Sequence, residues 1–128
     1  MKKAFLLTLI LLPLVHYAQT NQDSIKQKLI GKWVIQTMLI NGEKNPDFNP
    51  KLQDYLLLNQ NMTFISTDKQ YNYDQRGSWK LINNRYIELI DLETKESQKL
   101  EITLLKDKSL KVRIQDDGDK IEMSYSKE

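Results

Sequence analysis

The chain has 128 residues, no cysteine, a single histidine, and 19 Lys and Arg against 17 Asp and Glu. Without cysteine there are no disulfides to staple a small domain, so the fold must rest on its core alone. The same composition excludes thiol chemistry, and one histidine excludes a His-rich zinc site.

Residues 1–18 have the order of a secretory signal peptide. Lys2 and Lys3 open it, the apolar run Ala4 to Leu12 follows, and Val15-His16-Tyr17-Ala18 ends it before a polar stretch. A membrane anchor is the alternative, but the run is short for a span and Pro13 interrupts it. Cleavage after Ala18 is expected. No cysteine stands at the cut, so a lipoprotein leader is not. Removing Lys2 and Lys3 leaves 17 basic residues against 17 acidic ones, and His16 leaves as well. The mature chain is then neutral and free of histidine. It has no electrostatic footprint for nucleic acid, no axial histidine for haem, and no membrane span. The expected product is soluble, in the periplasm or outside the cell, with residues 19–128 forming one domain.

Residues 19–28 are polar, and Ile25, Leu29 and Ile30 give a partial helical stripe. Asp23 or Ser24 is expected to cap the helix and Gly31 to stop it. Beyond Gly31 the apolar period becomes two. Trp33 to Ile40 places Trp33, Ile35 and Leu39 on one face. Tyr55–Leu58, Thr63–Thr67, Tyr71–Leu81 and Tyr86–Leu92 follow. In the last third Leu100, Ile102 and Leu104 alternate with polar residues, as do Leu110, Val112 and Ile114, and then Ile121, Met123 and Tyr125. One-sided alternation of this kind marks an antiparallel sheet. Asn41-Gly42, Asn83-Asn84, Asp107-Lys108-Ser109 and Asp117-Gly118 carry hairpin chemistry. The sum is eight strands joined mostly by tight turns. Such a meander leaves two exposed edges unless it closes into a barrel. The expected class is all-β: an eight-stranded antiparallel up-and-down barrel with a short N-terminal helix.

These residues resemble the bacterial lipocalin-like domain of small exported proteins. The resemblance runs over about residues 29–125. It begins at Leu29-x-Gly31-Lys32-Trp33, a helix running into a Gly-x-Trp. It continues through Leu56-x-Leu58-x-x-Asn61-Met62-Thr63-Phe64 and a second Gly-x-Trp, Gly77-x-Trp79-x-Leu81. It ends at Leu100-x-Ile102-x-x-Leu105, Leu110-x-Val112 and the closing strand with Tyr125. Met62 stands where the family usually has glycine. The resemblance implies an eight-stranded calyx and, by analogy, an apolar ligand. It also implies that Trp33 closes the barrel base, often against an arginine from a late strand. Arg113 is the late-strand arginine here, but its parity opposite Val112 and Ile114 turns it to water.

The aromatic set is the main functional lead. Phe64, Tyr71, Tyr73, Trp79, Tyr86 and Tyr125 lie on strands or near strand ends. Rings either line a ligand calyx or fill a small barrel solid. Phe64, Trp79, Tyr86 and Tyr125 are the expected lining residues. Asp116-Asp117-Gly118-Asp119 lacks the spacing of a calcium loop and reads as a hairpin turn. Asp23-Ser24-Ile25 is similar to an exported-protein O-glycosylation signal, but a helix cap is the preferred reading, and Asn61-Met62-Thr63 matches the eukaryotic N-glycan acceptor, which the bacterial character of the leader discounts. Glu88 and Asp91 lie in a strongly apolar strand on opposite faces, and burial there raises a carboxyl pKa. Glu43, Lys44 and the loop after them form either a lid over the open end or a solvated connection. No carboxylate pair or Ser–Lys spacing points to catalysis, and neither cofactor nor metal is expected. The reading is an exported lipocalin-like protein holding a small, largely apolar molecule, not an enzyme. The alternative is a protein-interaction or inhibitor module with a filled barrel and Phe48 as an exposed anchor.

Overall fold

A computed structural model describes residues 22–128. The expected leader and its cleavage site lie outside them. Among the described residues no helix is long and apolar enough to cross a membrane.

Residues 22–29 form a helix, and nine strands follow: β1 Gly31–Ile40, β2 Glu43–Lys44, β3 Tyr55–Leu58, β4 Thr63–Asp68, β5 Tyr73–Ile82, β6 Tyr86–Asp91, β7 Ser97–Lys106, β8 Ser109–Asp116 and β9 Asp119–Lys127. Each barrel strand pairs antiparallel with its sequence neighbour, and β9 returns to β1. The result is a closed eight-stranded up-and-down barrel. The two-residue β2, not expected from the sequence, extends only the far end of β1, where Leu39 pairs with Lys44. Asp23 and Ser24 lie inside the helix instead of capping it. Packing decides this, because Leu29 is fully buried and Ile25 rests against the core.

Three of the tight turns have the left-handed geometry that matches strand twist. Asn41 and Gly42, Asn83 and Asn84, and Asp117 and Gly118 all have positive φ. The Asp107-Lys108 turn joins β7 to β8 without one. Met62 takes φ 68° in the β3–β4 turn, the conformation that glycine would adopt at no steric cost.

Two β-bulges reset the faces. One lies between Ile35 and Thr37, so Met38, opposite Met123, turns inward in place of Leu39. The other lies between Ile102 and Leu104, so Leu105, opposite Leu110, packs on the core in place of Leu104. The inserted residue breaks the two-residue period that the sequence displays on either side.

The core fills the helix end of the barrel. Trp33, Trp79, Phe64, Leu29, Leu58, Ile87 and Leu110 are almost wholly buried there. Both tryptophans cap backbone. Trp33 Nε1 donates to the Leu29 carbonyl at 2.8 Å and Trp79 Nε1 to the Asn59 carbonyl at 3.0 Å. The two Gly-x-Trp glycines have separate reasons. A Cβ on Gly31 would meet Lys127 Cε at 2.5 Å, and one on Gly77 would lie 1.8 Å from the Ile90 carbonyl oxygen. The cation over Trp33 is Lys127 of β9, its Nζ 5.3 Å from the ring centre. Arg113 lies on the outer face, paired with Glu101.

Candidate functional site

At the end away from the helix the barrel is open, and a cavity of about 440 Å³ occupies its mouth. The β1 bulge supplies Met38 to its wall, and β9 supplies Met123 and Tyr125. The β4–β5 hairpin supplies Ser66, Asp68, Tyr71 and Tyr73 to the rim. The connection 45–54 closes over one side. It is tied to β1 at both ends, through Asn45 N to the Met38 carbonyl at 3.1 Å and Ile35 N to the Asp54 carbonyl at 2.9 Å. Between these ties a 3-10 turn, Pro50–Leu52, is capped by Asn49 Oδ1, which accepts from Lys51 N at 3.0 Å. This strap turns Phe48 inward, half-buried against the core, where an exposed anchor was one expectation.

Tyr125 is enclosed by the mouth. Its hydroxyl donates weakly to Met123 Sδ at 3.4 Å, and burial pushes its pKa well above the ordinary phenol value. The other three expected lining residues lie elsewhere. Phe64 and Trp79 project inward but sit in the packed base. Tyr86 points outward, opposite Glu101, beside the Arg85 guanidinium at 5.6 Å. Trp33 is fully buried beside the helix end, where its Nε1 reaches the Leu29 carbonyl. Sequence reasoning missed Met38 and Met123. Met123 was legible as an inward residue of β9, and Met38 was hidden by the bulge.

A second opening breaks the barrel wall. The β7–β8 ladder runs only as far as Glu101 opposite Arg113, so Ser97–Leu100 pair with β6 alone and Ile114–Asp116 with β9 alone. The strands part above that point, leaving a polar cleft of about 730 Å³ between them. At its lower end Glu101 accepts from Arg113 and pairs with Arg85 at 2.5 Å, and these guanidiniums hold its carboxyl below the usual range. Gln75 borders both the cleft and the mouth cavity.

Asp91 stands inside this cleft, and Glu88 faces outward to Lys80 at 3.4 Å, so the two carboxylates do not converge. The Asp91 pKa is lowered, where burial alone raised it in expectation. Its oxygens accept from Thr94 N at 2.9 Å, Glu93 N at 2.8 Å and Gln75 Nε2 at 3.2 Å, and these bonds outweigh desolvation. It is the organiser of the β6–β7 turn. The Asp116–Asp119 segment is a hairpin turn held by Asn41 Nδ2 donating to Asp119 Oδ1 at 2.9 Å. Among the described residues no group of three or more Asp, Glu or His converges as a metal site. The chain matches no protein-family model and no curated protein.

Proposed function

We propose that the chain is an exported, lipocalin-like binding protein that holds a small, largely apolar molecule in the mouth of its barrel. The observation carrying this is the mouth cavity of about 440 Å³ walled by Ile35, Met38, Phe48, Met123 and Tyr125. A volume of that order falls in the range of small-molecule sites, which span roughly 300–1,000 Å³. The mechanism is burial of apolar ligand surface. About 200 Å² removed from water contributes roughly 5 kcal/mol before ordering costs. The methionines suit a site that adapts to its occupant, since a thioether chain has several accessible rotamers. Export rests on the leader sequence, Lys2 to Ala18. No catalytic step belongs to this reading. The protein-interaction alternative called for an exposed Phe48, and the inward Phe48 disfavours it.

Calorimetric titration of the mature chain with decanol tests the binding reading. The expected result is one site with a negative heat-capacity change. A Ser66→Trp variant, which places an indole in the mouth while β4 keeps its register, abolishes binding. No heat from decanol in the folded wild type, or undiminished binding in Ser66→Trp, contradicts it. Intact mass of secreted protein tests the leader, with loss of residues 1–18 expected.

A further inference from the structure

We infer that the molecule held in the mouth carries a positive charge on its apolar body, as a lipophilic amine or quaternary ammonium does. This inference rests on the binding reading above and names the ligand class for the same cavity.

The charges around the cavity have one sign. Asp47, Asp54 and Asp68 line it, and among the described residues no Lys, Arg or His does. The chain as a whole is nearly balanced, 19 basic residues against 17 acidic, so this segregation is local. None of the three carboxylates forms an ion pair among the described residues. Asp54 is fixed by accepting at Oδ1 from the Thr67 hydroxyl and from Lys69 N, both at 2.9 Å. Asp68 is half-buried and shares the inward face of β4 with Phe64 and Ser66. Lys32 and Lys69 lie 4.4 and 5.9 Å from the ring centre of Tyr55, which borders the cavity, but neither lysine is itself among the lining residues.

The rings complete the argument. Tyr71 is 74% exposed and Tyr73 55% exposed, and both stand at this rim. Leu92 is the other large apolar side chain so exposed among the described residues. Aromatic faces attract a cation, and unpaired carboxylates add to that attraction. An ammonium group between the tyrosines and Asp68 covers these rings and gives the carboxylate its missing partner. The apolar body then reaches down to Met38 and Met123. A carboxylate ligand in the same place meets only like charge.

Matched decyl probes decide it: decyltrimethylammonium, decanol and decanoate, titrated by calorimetry below their micelle concentrations at low salt. The cation is expected to bind about tenfold tighter than decanol, with decanoate weakest. The D68N variant brings the cation to within about threefold of decanol and leaves decanol unchanged. If D68N fails to fold by circular dichroism, D47N at the rim serves instead. Equal binding of all three probes, tighter binding of decanoate, or a cation preference untouched by the folded variant overturns the charge inference and leaves the apolar reading standing. Failure of both decanol and the cation to bind overturns both.

Discussion

Lys127 places its ammonium 5.3 Å from the centre of the Trp33 ring while donating to the Lys28 carbonyl at 3.2 Å. One side chain of the last strand thus joins the first strand to the end of the helix. The Lys28 and Leu29 carbonyls belong to the last helical turn, where free acceptors attract a cation. Trp33 serves the second of them. The glycine at position 31 gives the lysine stem its path, because a Cβ there collides with Lys127 Cε. Helix, first strand and last strand are locked at one point, opposite the open mouth.

Lys127→Met keeps most of the stem and removes the charge and the hydrogen bond. The expected loss is about 1 kcal/mol, read as a lower urea midpoint with an unchanged slope. Decanol binding at the other end stays unchanged. No change in midpoint contradicts the lock.

Gly77→Ala is expected to cost about 3 kcal/mol or more, because the new methyl meets the Ile90 carbonyl carbon at 2.9 Å and its oxygen at 1.8 Å, both backbone. Gly118→Ala has open space around its Cβ but a φ of 83°, so it costs only about 1 kcal/mol. Thermal unfolding of the two variants side by side checks the order. Equal shifts count against close strand approach as the reason for the second Gly-x-Trp.

Acid stability should depend on Asp91. Its carboxyl is held below its ordinary pKa by the Thr94 and Glu93 amides and by Gln75, so the unfolded chain takes up a proton at a higher pH than the folded one. The stabilisation is therefore present above the unfolded value, about 3.9, and is lost as pH falls through the lower folded value. Asp91→Asn lowers the urea midpoint at pH 7, and the two proteins converge as pH drops below about 4. Glu101, lowered in the same direction by Arg113 and Arg85, keeps some acid sensitivity in the variant. A variant that loses as much at pH 3 as at pH 7 contradicts this assignment.

The barrel was legible because its strands keep a two-residue apolar period and its turns carry Asn-Gly, Asn-Asn and Asp-Gly. The bulges were not, since an extra residue such as Gln36 has no composition of its own. Each side of it reads as a correct strand, and only the pairing with β9 reveals that Leu39 and Met38 have exchanged faces. The residues of the mouth were harder. Period two gives the face of a residue but not its height along the barrel axis. Phe64, Trp79 and Tyr125 all turn inward, yet the first two lie in the packed base and Tyr125 faces the mouth. Tyr86 was ambiguous because β6 carries apolar residues on both faces, Tyr86 and Ile90 on one and Ile87 and Leu89 on the other. The role of the 45–54 strap depends on ties to β1 far from it in sequence, and these leave no periodic trace.

The central claim is that the mouth cavity, and no other part of the barrel, holds the ligand. Methyl NMR of the mature protein with labelled methionine tests it directly. Met38 and Met123 line the mouth, whereas Met62 packs near the closed end, in the β3–β4 turn. Adding decyltrimethylammonium is predicted to shift the Met38 and Met123 methyl resonances in a saturable way and to leave Met62 in place. Shifts confined to Met62, or equal at all three, would contradict the account.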